Sequence, residues 1–258
     1  MGHLTRSLCR KITNALLRGV TASSLLLGGA TAGAGPLPVL DIYLLDAPPL
    51  TLLGQNGSHG IVGDITIKAA SMAGYDLHLV PQPWTRAQRT VQAGEDQLII
   101  PLSRTPDREA NYTWIAPIMT MDRAFFSLDK RVESFDEARR TYRRVAVGMG
   151  SAQEQKLRDE GFSDEQIYSL KIGDNPPQML LRGRVDAWFN GVPESRYIWQ
   201  GVSNRPLLMS PPVMTSDLYL ACSKRCSPTQ VKRLRIAIDA LRADGTIKRI
   251  IDSYQPRP

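Results

Sequence analysis

Histidine and cysteine are scarce in this chain, three of each among 258 residues, and their placement closes off metal chemistry. His59 and His78 stand far from each other and from Cys222 and Cys226, with none of the short ligand spacings that a metal site requires. No metal and no cofactor is expected. A nucleic-acid-binding surface needs a basic face with interleaved aromatics. The single dense run, Arg139-Arg140-Thr141-Tyr142-Arg143-Arg144, reads instead as the solvated end of a helix, so nucleic acid is not an expected partner. Low-complexity linkers and internal repeats are also missing. Beyond the first 35 residues no segment is apolar enough to span a bilayer, which takes roughly 20 residues.

The start of the chain carries an export signal. Arg6, Arg10, Lys11 and Arg18 precede a mild apolar stretch, Val20 to Leu27, that runs into the small-residue tract Gly28 to Gly35. That order is the layout of a secretory signal peptide, and Ala32-Gly33-Ala34 supplies the small side chains that signal peptidase accepts. Residues 1–34 are therefore expected to be removed after Ala34, delivering the protein to the periplasm. An uncleaved anchor is the alternative, weakened by Ser23, Ser24 and the glycines that dilute the apolar run. No cysteine follows the stretch, which argues against a lipid anchor. The whole chain has 32 Lys+Arg against 25 Asp+Glu, but four cations and no acid leave with the signal, so the remaining 28 give a net charge of only +3. Cys9 leaves as well. In an oxidising compartment Cys222-Ser223-Lys224-Arg225-Cys226 reads as a local disulfide across a turn, with two unpaired thiols as the alternative.

The mature chain alternates strand and helix. An apolar strand at Leu37 to Leu45 is followed by a helix from Val62 to Ala73, stopped by Gly74, and an alternating strand from Tyr75 to Gln82. A helix from Thr85 to Ala93, stopped by Gly94, leads to Leu98 to Leu102, a continuous apolar run of the kind buried in a parallel sheet. The rhythm then restarts with Phe125 to Leu128 extended and a capping box, Ser134 to Glu137, opening a helix. Strands are expected at Val145 to Met149, Ile167 to Ile172 and Val185 to Phe189, with helices at Gln153 to Glu160 and Pro176 to Leu181. Ser227-Pro228-Thr229-Gln230 signals another helix start, with serine as the cap, and that helix runs to about Arg242 before Gly245. Two β-α-β blocks without a linker predict an α/β protein of two lobes joined by short extended crossings.

Several segments in fixed order carry a resemblance. They are Gly60-Ile61-Val62-Gly63-Asp64, Pro83-Trp84-Thr85-Arg86-Ala87, Pro101 to Glu109, Arg144 to Ser151, Gly183 to Trp188 and Leu241 to Thr246. Together they resemble the family 3 extracellular solute-binding proteins, the polar amino-acid receptors of ABC importers, over essentially the whole mature chain. The resemblance implies a type II Venus-flytrap fold, monomeric, with residues 38–118 and 218–258 in one lobe and 122–214 in the other. Hinge crossings would fall near Pro117 to Asp122 and Pro212 to Leu218, and the ligand would lie between the lobes, outside the carboxyl ends of the strands.

Carried onto this sequence, the resemblance makes Arg108 the receiver of a ligand carboxylate, a task that suits the planar fork of a guanidinium. Ser103 would stand beside it, Trp84 would present a ring, Ser151 would line the second lobe, and Asp46 would sit at the cleft mouth. Trp84 has a core alternative and Asp46 a turn alternative before Pro48-Pro49. Where the family places an ammonium-binding aspartate, this chain reads Trp188-Phe189-Asn190-Gly191. Asn190 is the candidate that remains there, and Glu194 lies one helical turn on. Asp186 belongs to a structural Asp-Ala pair. The expected function is capture of a small carboxylate-bearing or amino-acid-like solute for an inner-membrane ABC permease, with a periplasmic sensor as the alternative. Catalysis of the dehydratase kind would need a general acid, for which Glu194 and Asp46 are the candidates, but no nucleophile, base or paired carboxylate accompanies either. No catalytic residue is assigned.

Overall fold

Strand β1 (Val39–Leu44) shows why the first sheet is covered on both faces. Side chains alternate along a strand, and here both sets are apolar: Ile42 and Leu44 enter one core, Tyr43 and the following Leu45 another. Strands β2 (Asp76–Pro81) and β3 (Leu98–Ser103) pair with β1 in parallel. Helix α1 (Gly60–Met72) covers one face through Ile61, Val62, Ile65 and Ala69, and α2 (Trp84–Ala93) covers the other through Trp84, Ala87 and Val91. The structure is a computed structural model and describes residues 36–53 and 57–254. The expected export signal, residues 1–34, lies outside the described residues.

Strand β4 (Tyr112–Ser127) follows a 3₁₀ turn at Pro106–Asn111 and belongs to both lobes. Its first part puts Ile115, Ala116, Ile118 and Met121 into the α1 core, whereas Phe125 enters a second core and Ala124 and Phe126 a third. The second lobe adds α3 (Phe135–Thr141), β5 (Val145–Gly148), α4 (Ala152–Asp159), β6 (Ile167–Leu170), α5 (Pro176–Leu181), β7 (Ala187–Gly191) and α6 (Val192–Gln200). Alternation again splits the strands, with Val145, Val147, Ala187 and Phe189 facing α3 and α4, and Ala146 and Trp188 facing α5 and α6. The chain returns through β8 (Leu208–Met209) and β9 (Met214–Ser223), then closes the first lobe with α7 (Pro228–Ala243) and α8 (Thr246–Ser253). The strand order is β2-β1-β3-β9-β4-β7-β5-β6, with β8 on β4. No described helix is long and apolar enough to cross a membrane.

Four readings of the sequence need correction. The extended segment expected at Phe125 to Leu128 is the end of a 16-residue strand. Its partner β9 was not anticipated as a strand, and the two pair antiparallel from Tyr112↔Ser223 to Arg123↔Met214. The strand expected at Val185 to Phe189 begins two residues later, because Val185 packs into the α5 core before the ladder forms. Ser227 stands at the helix start but its hydroxyl caps nothing; its amide donates to Asp96 Oδ1, and Gln230 Nε2 donates to the Asp96 carbonyl at 3.2 Å. A contact from the connection between α2 and β3 thus replaces the local cap. The Ser134 cap forms as read, its Oγ accepting from the Glu137 amide at 3.2 Å, while the Glu137 carboxylate reaches back to the Glu133 amide.

Cys222 and Cys226 are joined by a disulfide at the end of β9, with Cα atoms 6.1 Å apart. Closing so small a loop restricts the unfolded chain modestly, by about 2 kcal/mol. Thermal melts of the wild type and Cys226→Ser should therefore differ by only a few degrees. A variant that fails to fold would show that the bridge does more than restrict the unfolded chain.

Candidate functional site

The carboxyl end of β3 puts Ser103 at the boundary between the lobes, and two arginines converge on that residue. Arg108, at the 3₁₀ turn, donates from Nη1 to the Ser103 carbonyl at 3.3 Å. Arg123, from β4, donates from Nη2 to Ser103 Oγ at 2.7 Å and from Nη1 to Ser216 Oγ at 3.0 Å and the Met121 carbonyl at 3.1 Å. Both are buried, with 6 % and 1 % of their surface exposed. They line a small cavity of about 60 Å³ together with Trp84 and Ser103 from the first lobe and Ser151, Gln153 and Glu194 from the second. A second space of about 280 Å³ shares Ala47, Ser151, Gln153, Ile172 and Glu194 and reaches the surface at Asp46. A larger groove of about 810 Å³ lies along α6, α8 and the middle of β4, but its polar lining, including Arg196, Arg242 and Lys248, is exposed and does not converge. Buried, converging polar groups around a cleft mark a ligand site better than volume does, which makes the surroundings of Ser103 the candidate site.

The lobes touch here directly. Arg108 Nη2 and Gln88 Nε2 both donate to the Gly150 carbonyl, at 2.9 and 3.0 Å. Gly150 has a positive φ of 70°, and a Cβ at that position would lie 2.6 Å from Thr85 Cγ2, so the loop can approach α2 only as glycine. Ser151 caps α4, its Oγ accepting from the Glu154 amide at 3.2 Å, and turns the start of that helix toward the cavity. Such a start favours negative charge.

The remaining candidates fall into place as follows. Trp84 is a core residue whose edge borders the cavity. Asp46 is exposed at the mouth, where its Oδ1 accepts from the Leu53 amide at 3.3 Å. Asn190 borders the space of about 280 Å³ but is tied into the protein, accepting from Gln153 and donating to Ser195, each at 3.4 Å. Asp186 is away from the cavity and accepts from the amides of Arg143 and Arg144 at 2.7 and 2.8 Å. Two arginines of the matching segments that are not candidates, Arg104 and Arg86, are exposed, and Arg104 is paired with Glu109.

Glu194 is the acid that enters the cleft. It folds back over Gly191, where a Cβ would lie 2.4 Å from Glu194 Oε2 and 2.7 Å from Met121 Sδ, so the missing side chain makes room for the carboxylate. Among the described residues its carboxylate makes no protein hydrogen bond. Burial pushes its pKa up to about 7, with Arg123 pulling it back down. Arg123 is in turn held down to about 10 by burial, Glu194 opposing and Arg108 adding to the shift, and burial also lowers Arg108. Arg123 was not a candidate from sequence. The available signal was a single cation within an extended apolar segment, on the same strand face as Met121 and Phe125.

A carboxyl group whose pKa is higher folded than unfolded stabilises the fold at low pH, and that stability is lost as pH rises from 4.5 through about 7. Wild type should therefore lose on the order of 2 kcal/mol relative to Glu194→Gln between pH 5 and pH 8. Urea unfolding at both pH values measures this directly. Parallel pH profiles for the two proteins would show that Glu194 does not hold the proton.

The fold and cleft define a two-lobed α/β binding protein of the periplasmic type. The sequence profile of the bacterial extracellular solute-binding proteins, family 3, matches residues 42–257, and the chain belongs to that family. Comparison with curated protein sequences gives no match. Among solved structures, a histidine kinase sensor domain with similarity to periplasmic binding proteins superposes with a TM-score of 0.76 at 16 % identity, over 85 % of this chain and 96 % of that one. An amino acid ABC transporter substrate-binding protein from Streptococcus pneumoniae, bound to L-arginine, gives 0.71 at 20 % identity, over 84 % and 94 %. An ancestral amino acid-binding protein, a precursor of cyclohexadienyl dehydratase, also gives 0.71 at 20 % identity, over 84 % and 94 %.

Proposed function

We propose that this protein is an exported receptor that closes its lobes around a small carboxylate-bearing solute and hands it to a membrane partner without altering it. The observation that carries the reading is the convergence of Arg108 and Arg123 on Ser103 at the cavity, with the start of α4 facing them. Guanidinium forks and a helix start are the groups that receive carboxylates. Trp84 contributes an apolar wall and Asp46 stands at the entrance. The hinge lies in β4 and β9, near Pro117 to Asp122 and Pro212 to Leu218, dividing residues 38–118 and 218–258 from 122–214. An ABC permease is the first choice of partner, and export after Ala34 supplies the compartment. A sensor role is the second reading, favoured by the likeness to the histidine kinase sensor domain. A cationic solute such as the L-arginine held by the Streptococcus pneumoniae protein would meet two guanidiniums here. Glu194 is the one acid among the described residues lining the small cavity, and Asp46 and Asp174 of the adjoining space are exposed, which favours binding over catalysis. A thermal-shift screen of amino acids, small carboxylates and amines tests the proposal, since a ligand of the folded state raises its stability by mass action. Carboxylates should raise the midpoint, and a response confined to amines would refute the proposal.

A further inference from the structure

The buried charges around the cavity do not balance. Arg108 and Arg123 are both cations, and both contact the same residue, Ser103, one at its carbonyl and one at its hydroxyl. Against them the cavity lining offers one acid, Glu194. Asp107 is 3.9 Å from Arg108 Nε, but half of its side chain is exposed, where water screens the pair. Asp46 and Asp122 are exposed as well. A buried charge without compensation is strongly disfavoured, and two like charges so close make it worse.

The hydrogen bonds show the same deficit. A guanidinium has five N–H donors. Arg123 spends three of them on Met121, Ser216 and Ser103, and its buried Nε has no partner. Arg108 spends two, one on the Ser103 carbonyl and one on Gly150, the latter a bond across the lobes that exists only when they meet. Each arginine therefore keeps donors that the protein itself does not satisfy. Glu194 cannot serve both. Its raised pKa agrees with a carboxyl that is poorly compensated where it sits.

Resting on the reading of this cleft as the solute site, we infer that the solute is a compact dicarboxylate, with one anionic group for Arg108 and a second for Arg123. Such a solute brings negative charge to a cleft that is short of it and takes up the spare donors of both guanidiniums, which Glu194, making no hydrogen bond to either among the described residues, leaves free. A monocarboxylate can offset the net charge together with Glu194, but it takes up the spare donors of only one guanidinium.

Calorimetry on the wild type tests this with pairs that differ in one charge: succinate against propionate, glutarate against butyrate, and L-glutamate against L-glutamine. In at least one pair the dicarboxylate should bind about a hundredfold more tightly, and Arg123→Met, which removes one cation while filling its space, should shrink that preference to about tenfold or less. Should Arg123→Met fail to fold, Arg123→Lys retains the charge without the fork, and the preference should persist at lower affinity. Binding of propionate, butyrate or L-glutamine within about tenfold of its dicarboxylate partner would overturn the inference while leaving the receptor reading intact. The same holds if none of the six binds but another monocarboxylate does. If no solute of any class binds, the receptor reading fails first.

Discussion

Arg108→Ala is expected to weaken solute binding by about a hundredfold. A hydrogen bond to a charged group contributes about 1.5–3 kcal/mol, and burying a carboxylate beside a missing partner costs at least as much; a hundredfold corresponds to about 2.7 kcal/mol. The substitution also removes the bonds from Arg108 to the Ser103 and Gly150 carbonyls, so the closed arrangement of the lobes loses one of its two contacts at Gly150. Arg108→Lys keeps the charge and loses the fork, and should fall between. Calorimetry with the solute found by thermal shift measures all three proteins. An unchanged affinity in Arg108→Ala would mean that the anion is held elsewhere.

Phe125→Ala should cost the second lobe about 3–5 kcal/mol of stability, the range for removing a large aromatic side chain from a core. Phe125 is 1 % exposed, and four rings surround it: Phe189, Phe135, Tyr142 and Phe162, with centroids at 4.7, 5.5, 5.9 and 6.2 Å. Rings from α3, β7 and the loops after α3 and α4 all lean on this one side chain, so the hole left by alanine cannot collapse cheaply. Urea unfolding monitored by circular dichroism would register the loss. A shift below about 1 kcal/mol would show that the neighbouring rings close the gap.

Regular elements were legible in the sequence where local chemistry decides them. The glycine stops after α1 and α2 and the serine cap of α3 all act within a few residues, and each forms as read. The long strands β4 and β9 were not legible, because register shifts between Trp114 and Ala116 and between Pro117 and Met119 break the period of two in the sequence. The cap at α7 escaped for a different reason, since Asp96 comes to it from 131 residues away. At the cleft, Ser103, Arg108, Ser151 and Trp84 could be named from the resemblance, whereas Arg123 could not. Its role depends on β4 running on past the lobe boundary, which places a cation beside Ser103 that lies 20 positions earlier. Glu194 was visible but undervalued, because its reach into the cleft depends on the space left by Gly191 and not on its own position along α6.

Closure of two lobes around a solute is the centre of the account, and small-angle X-ray scattering before and after saturation with the solute identified by thermal shift tests it most directly. The account predicts a smaller radius of gyration in the saturated protein. Saturable binding with an unchanged radius of gyration would contradict it.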